Sequence, residues 1–331
     1  SLRRQRQMCI RDRYYSAGIN LMNLVTIFGG SGFLGRYVVR QLAYKGYFIR
    51  VVVRNPNAAL FLRVYGKVGQ IELVSGDVKE EKNLLAYIKG SDCVINCAAT
   101  FFETPSQSFK NLHINAARNL AKVAKEEQVS QFIHISSLGA SPKSDSQLLK
   151  SKGAGEQAVL DCFPKANIIR PSLIFGSEDT FFNRFAKLSS ISPFIPVVGS
   201  CTKFQPVYVD DVAKAISSLV EDYQHEKYLD LGGDEIYTFK ELIDILLDEI
   251  KRKRIILNIP FFLAKVIAAT NDFFRLISGG IVPAFLTLAQ VKSLENDNLV
   301  DSKSENFSDL GIAPKKLKII LPKIVGRFNR S

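Results

Sequence analysis

No Cys-x-x-Cys pair and no His or Cys cluster with metal-ligand spacing occurs in this chain. Its five cysteines (Cys9, Cys93, Cys97, Cys162, Cys201) and three histidines (His113, His134, His225) are scattered. That spacing excludes a zinc module or a disulfide framework as the organising device and predicts a reduced, metal-free intracellular protein. Long apolar runs are also missing, none reaching the roughly 18 residues of a membrane span. The longest candidate, residues 255–269, is interrupted by Asn258, Pro260 and Lys265, so membrane association is expected to be peripheral. Internal repeats and low-complexity tracts are absent. Nor is there an aromatic-interleaved basic groove, which sets nucleic acid aside as a partner.

What is present is the composition of an ordinary globular chain. Its 331 residues, 47% hydrophobic and 23% charged, suffice for one sizeable domain or two unequal ones. The net charge of +12 is unevenly placed. Arg3, Arg4, Arg6, Arg11 and Arg13 sit near the N-terminus, Lys251–Arg254 form one block, and Lys315, Lys316, Lys318, Lys323, Arg327 and Arg330 crowd the end of the chain. Such blocks are solvated faces, or they meet an acidic protein or an anionic membrane surface. Residues 1–21 have neither helical nor strand period and no signal-peptide core. Their Arg-rich composition suits a transit peptide but resembles translated cloning sequence more, and we set them outside the fold, which then begins at Met22.

From there strands are predicted near 24–28, 49–53, 70–74, 93–96, 131–135 and 166–170, alternating with helical segments. This is the rhythm of an α/β fold, a Rossmann-like doubly wound parallel sheet. After Ser172 the rhythm breaks. Prolines at 193, 196 and 206 and helices over 210–222 and 239–251 predict a smaller C-terminal α/β lobe. We assign residues 22–175 to the larger domain, with 204–223 returning to it, and 176–203 and 224–331 to the lobe.

The sharpest local signal is Val25–Gly35, an apolar strand that enters three spaced glycines, Gly29, Gly32 and Gly35, and then an amphipathic helix. Glycines at this spacing permit a tight turn, a close backbone approach to a pyrophosphate and close packing of helix on strand. Where an NAD-specific unit presents an acid to the ribose, this chain has Val53-Arg54-Asn55. Arg54, helped by Arg36, is then suited to the 2′-phosphate of NADP(H), unless both are merely solvated. Asp77, in Gly76-Asp77-Val78, is placed to bond the adenine amino group.

Together with Asn96-Cys97-Ala98-Ala99, Asn115 and Ser136-Ser137, these residues resemble the extended and atypical short-chain dehydrogenase/reductase superfamily, of the NAD-dependent epimerase/dehydratase type. The resemblance runs from Met22 to Phe328. It implies a cofactor-binding set of Gly29, Ser31, Gly32, Phe33, Leu34, Gly35, Arg36, Arg54, Asp77, Val78, Cys97, Ala98, Ala99, Asn115, Ser136, Lys152, Pro171 and Ser172. Active members carry a tyrosine four residues before a lysine, working with a serine. Here Ser151–Glu156 resembles the lysine-bearing helix, so Lys152 is the lysine and Leu148 holds the tyrosine position. No tyrosine occurs between Tyr87 and Tyr208, so no small slip in alignment restores one. Loss of a positioned acid/base costs about 10²–10⁴ in rate, leaving Ser137, Lys152 and Asn115 as vestiges of a catalytic set.

Finer similarity lies in Val25–Tyr37, Ile168–Gly176, Phe181–Phe185, Phe204–Ala213, Asn298–Val300 and Asp309–Ile312. These resemble the NADP(H)-binding accessory subunit of respiratory complex I (NADH:ubiquinone oxidoreductase) and its bacterial homologues. That implies a structural nucleotide, peripheral-arm subunits as partners, and a peripheral place on the cytoplasmic or matrix side of the energy-transducing inner membrane. The alternatives are an atypical NADP-dependent reductase or nucleotide-sugar epimerase, and an NADP(H) redox sensor.

Remaining residues carry two readings. Ser137 is an inherited catalytic serine or a satisfier of backbone groups, and Asn115 positions water or makes a buried helix contact. Lys152 suits ribose hydroxyls, the histidines are structural, and Glu178 and Asp179 open a helix rather than form a catalytic pair. The apolar stretch holding Phe261, Phe262, Leu263, Val266, Ile267, Phe273, Phe274, Leu276 and Ile277 is core, or a docking face beside the basic block.

Overall fold

A computed structural model describes residues 24–104, 107–221, 227–277, 286–301 and 304–329, with side chains over 273–277 left aside. Residues 1–21, Met22, Cys9, His225 and Arg330, and the side chains of Phe273, Phe274, Leu276 and Ile277, fall outside the described residues. The chain runs from β1 (Leu24–Phe28) through the glycine turn into α1 (Phe33–Tyr44) and back as β2 (Phe48–Val53). A 3₁₀ run over Asn57–Tyr65 leads to β3 (Ile71–Ser75), α2 (Glu81–Ile88) and β4 (Cys93–Asn96). A π-helical turn, Lys110–Ala116, continues directly into α3 (Ala117–Glu126), followed by β5 (Gln131–Ile135), α4 (Gln147–Cys162) and β6 (Asn167–Pro171).

Beyond β6 come β7 (Ile174–Phe175), α5 (Phe181–Ile191), β8 (Phe194–Val198), β9 (Lys203–Phe204), β10 (Val207–Tyr208) and α6 (Val209–Glu221). Then follow β11 (Tyr228–Leu231), β12 (Tyr237–Thr238), α7 (Phe239–Glu249), β13 (Ile255–Ile259), α8 (Phe261–Ile277), α9 (Leu288–Ser293) and α10 (Leu317–Val325). The central sheet has the order β3-β2-β1-β4-β5-β6-β11, parallel throughout. This is the Rossmann-like order with one added strand. Its direction of progression reverses between β1 and β4, and such a reversal opens a crevice at the carboxyl ends of the strands.

The nearly unbroken apolar strands follow from helices on both faces. Ile27, Val51, Ile95, Ile133 and Ile169 point into one core with Val38, Val39 and Leu42 of α1 and Val212 and Ile216 of α6. Their neighbours Phe28, Val52, Val94, Phe132 and Ile168 point into the other, against Leu84 of α2, Leu120 of α3 and Val159 of α4. A strand's period of two feeds both cores at once.

β11 corrects the lobe boundary read from the sequence. Tyr228–Leu231 pairs with β6 from Tyr228↔Ile168 to Leu231↔Pro171, so the chain re-enters the large sheet after residue 223. Four residues interrupted by Asp230 carry too short an alternation to announce a strand. The smaller lobe has its own core of α5, α7 and α10, with Phe182, Leu242, Leu246 and Leu321 fully enclosed. α7 opens with a reciprocal cap, Glu241 N–H donating to Thr238 Oγ1 (3.2 Å) and Thr238 N–H to Glu241 Oε2 (2.7 Å).

Candidate dinucleotide site

Backbone geometry makes the glycine turn. Gly29 sits at φ +75° and its carbonyl accepts from Gly32 N–H at 3.0 Å. A side chain at Gly35 would place its Cβ 2.3 Å from Gly29 O, so α1 can sit this close to β1 only with glycine there. Gly32 is the N-cap of α1, with no side-chain cap and no acid in the first turn. The positive end of the helix dipole therefore faces the crevice without an anionic side chain, as a pyrophosphate requires.

In front of this turn lies a cavity of about 210 Å³. It joins Gly29, Ser31 and Gly32 to Arg54 at the end of β2, to Asp77 and Val78 after β3, and to Cys97, Ala98 and Ala99 after β4. Those nine predicted residues are thus brought to one place. A larger cavity of about 610 Å³ lies around Gly232, Gly233, Asp301 and Asn306 and shares no lining residue with it. The smaller one has the helix N-terminus and two cations, Arg54 and Lys79, beside Asp77, whereas the larger is lined by Asp234 and Asp301 and by no cation.

Several lining residues escaped the sequence reading, Gln107, Leu112 and the charged Lys79 among them. Lys79 stands two places after Asp77, its ammonium 3.4 Å from Asp77 Oδ2 and its N–H donating to Asp77 Oδ1 at 3.0 Å. A second cation following the Gly-Asp pair was the available signal. Arg36, by contrast, does not line this cavity. It lies 3.7 Å from Glu178, donates to Ser31 O (3.3 Å) and stacks over Phe61. Glu178 also accepts from Tyr37 Oη at 2.7 Å, so it ties α1 to the smaller lobe rather than opening a helix. Asp179 does open one, its Oδ1 accepting from Phe182 N–H at 2.7 Å.

Phe33 stacks edge-on with Tyr37, and Leu34 is core. Pro171 lies buried in β6, its carbonyl accepting from Leu138 N–H. Ser172 donates to Asn298 Oδ1 at 2.6 Å, so its hydroxyl is occupied by the C-terminal segment. Asn115 donates to Asn111 Oδ1 (3.3 Å) at the exposed side of its helix, so this bond is not the buried contact expected as one of its two roles.

At the ends of β5 and α4 the picture differs. The hydroxyls of Ser136 and Ser137 are buried without a hydrogen-bond partner. Two orphaned donors side by side fit ribose or carboxamide groups of a bound dinucleotide, and Ser137 does not satisfy the backbone as its alternative reading held. Lys152 is buried, donating to Ser136 O at 3.0 Å. Burial lowers its pKa to about 8, with Glu156 opposing the shift. Leu148, also buried, lies one helical turn before Lys152 on α4.

The histidines are structural in detail that spacing did not reveal. His113 Nε2 accepts from Thr100 N–H (3.1 Å), so Nδ1 carries the proton toward Ser151 Oγ (2.9 Å), which donates to Leu148 O (2.8 Å). His134 pairs with Asn96 at 3.2 Å. Burial and the Lys152 charge lower both imidazole pKa values to about 3. Thus the loop after β4 is locked to the helix that carries Lys152.

A protein-family model described as NAD(P)H-binding matches residues 29–170, which gives the class that sheet, glycine turn and crevice define. The chain is 37% identical over 306 residues to the mitochondrial NADH dehydrogenase (ubiquinone) 1 alpha subcomplex subunit 9 of Arabidopsis thaliana, covering 89% of this chain and 75% of that protein. It is 29% identical over 290 residues to the mitochondrial NADH-ubiquinone oxidoreductase 40 kDa subunit of Neurospora crassa, covering 87% and 75%. The chain belongs to the family of these subunits. An NADPH-dependent quinone oxidoreductase of Escherichia coli, solved with NADPH, superposes with a TM-score of 0.70 at 19% identity over 92% of this chain and 99% of that one, a likeness of fold.

Proposed function

We propose that this chain is an NADP(H)-binding accessory subunit of NADH:ubiquinone oxidoreductase that holds its nucleotide without turning it over. One observation carries the second half of the proposal: Leu148, buried one helical turn before Lys152, stands where the proton donor would be. Membership of the subunit family supports the first half.

Bound NADPH would supply a hydride. The chain's own residues bind and orient. The N-terminus of α1 receives the pyrophosphate, Arg54 and Lys79 flank the 2′-phosphate, and Lys152 with the Ser136 and Ser137 hydroxyls holds the nicotinamide ribose. With leucine at 148, no residue at that position moves a proton to substrate. Peripheral-arm subunits of the complex would be the partners, on the matrix or cytoplasmic side of the inner membrane.

Native-gel migration with complex I, NADP(H) recovered from the purified protein, and no NADPH oxidation across carbonyl and sugar-nucleotide substrates are the expected results. A free monomer would remove the accessory role. Robust turnover would favour an atypical reductase or epimerase, a reading supported by the orphaned Ser137 hydroxyl and by the buried Lys152, bonded to the neighbouring Ser136 carbonyl.

A further inference from the structure

Over residues 261–272, whose side chains are described, α8 puts its small residues and Phe261 inward and its other large apolar side chains outward. Its small residues Ala264 and Ala268 are fully buried against Val198 and Val291, while Phe262, Leu263, Val266 and Ile267 are 80%, 49%, 51% and 38% exposed. In the ordinary arrangement the large apolar side chains face the core.

The bare surface extends beyond the helix. β13 pairs in parallel with β8, Ile255 opposite Phe194 and Leu257 opposite Pro196. Partners in register share a face. The far end of this same face, Val198 and Ile259, packs with α8. Ile255, Leu257 and Phe194 at the near end remain exposed, giving one apolar surface across two elements joined only by Pro260.

Its border is basic. Residues 250–271 contain Lys251, Arg252, Lys253, Arg254 and Lys265 and no acid. Lys251 and Lys253 are exposed, while Arg252 and Arg254 donate to the carbonyls of Phe328 and Ser189, contacts that leave their charge unneutralised. Of the nearest acids beyond that stretch, Asp272 accepts from Leu288 N–H and Glu295 pairs with Lys265. On α7, Asp244, Asp248 and Glu249 precede the basic block.

We propose that the face formed by Phe262, Leu263 and Val266 of α8 with Ile255 and Leu257 of β13 docks on an anionic lipid surface, Lys251 and Lys253 meeting the headgroups. Large apolar side chains beside lysines, on a helix that within the described residues is not long and apolar enough to span, match an interfacial element that enters the headgroup boundary. The proposal names the face that an accessory subunit would turn toward the membrane, and its biological setting rests on that reading.

The test is cosedimentation of the full-length protein with phosphatidylcholine vesicles, with and without about 30 mol% phosphatidylglycerol. Binding to the anionic vesicles, weakened by salt, is expected. Phe262→Glu/Val266→Glu and Lys251→Glu/Lys253→Glu should each reduce partitioning at least about tenfold. NADPH binding should be kept in both, and Val64→Glu, an exposed valine outside this face, should change nothing. No binding to anionic vesicles, or equal binding by the variants, overturns the proposal. Loss of complex I co-migration in the Phe262 variant without vesicle binding by the native chain also overturns it, in favour of a protein partner. Native protein that binds vesicles but never migrates with complex I would count against the accessory-subunit reading alone.

Discussion

Leu148 and Lys152 lie four residues apart on α4, one turn of the same face, and both are buried. On the proposed reading the helix brings a lysine to the nicotinamide ribose and a hydrocarbon one turn before it. Lys152 is held by Ser136 O and gains no phenolic partner at 148. If Lys152 binds ribose as proposed, a ribose-binding side chain is present while a proton-exchanging one at 148 is not, which would separate nucleotide binding from turnover.

Putting the phenol back tests that separation. Leu148→Tyr adds volume to a packed position and should cost about 1–3 kcal/mol. Nucleotide binding should survive, so thermal unfolding with NADPH at about 100 times its dissociation constant should still show about 2.7 kcal/mol of stabilisation. A variant that folds but is no longer stabilised by NADPH would show that the space beside Lys152 belongs to the nucleotide rather than to a missing tyrosine.

Arg54→Glu should change cofactor preference. Replacing a phosphate-binding guanidinium by a carboxylate removes a charge-assisted pair and adds repulsion, weakening NADPH by at least about tenfold while NADH changes little. Fluorescence titration with both nucleotides measures it. Unchanged discrimination would place the 2′-phosphate elsewhere. Lys79→Ala should give a smaller effect in the same direction.

Gly35→Ala forces a Cβ to 2.3 Å from Gly29 O and 2.7 Å from Gly30 Cα, both main-chain atoms that cannot swing aside. Destabilisation of at least about 2 kcal/mol is expected, together with loss of nucleotide binding. Gly326→Ala meets nothing within 4 Å in a right-handed conformation and should lie within about 0.5 kcal/mol of the native chain. Denaturant unfolding compares the two directly, and equal midpoints would contradict the steric argument.

Acid should unfold this protein early. His113 and His134 titrate near 3 when folded and near 6.5 when unfolded, so below pH 6.5 the unfolded chain takes protons that the folded one refuses. Their neutral-state contribution is complete above pH 6.5 and is lost as pH falls toward 3. Each imidazole adds up to about 1.4 kcal/mol per pH unit to the slope. Urea midpoints between pH 7 and 5 should fall steeply, and His113→Gln should flatten the fall. A slope unaltered by that substitution would mean His113 is open to solvent.

The local parts of the site were legible because their chemistry is local. Gly29, Gly32 and Gly35 act through the turn they themselves make, and Arg54 and Asp77 follow strands whose period was plain; Gly29, Gly32, Arg54 and Asp77 line one cavity. Arg36 and Ser172 read differently, since their partners Glu178 and Asn298 lie 142 and 126 residues away in sequence. β11 was hidden by its brevity. The His113–Ser151 bond joins residues 38 apart on two different helices, and no spacing rule encodes it.

By itself the chain determined its sheet rhythm, its nucleotide turn and the absence of a tyrosine near Lys152, because each depends on neighbours within a few residues. Only the tertiary structure decided that Ser136 and Ser137 keep buried hydroxyls without partners, that Glu178 claims Arg36, and that α8 turns Phe262, Leu263 and Val266 outward. Those outcomes depend on what packs against what. Burial and hydrogen-bond satisfaction belong to the folded arrangement, where residues remote in the chain compete for the same atoms.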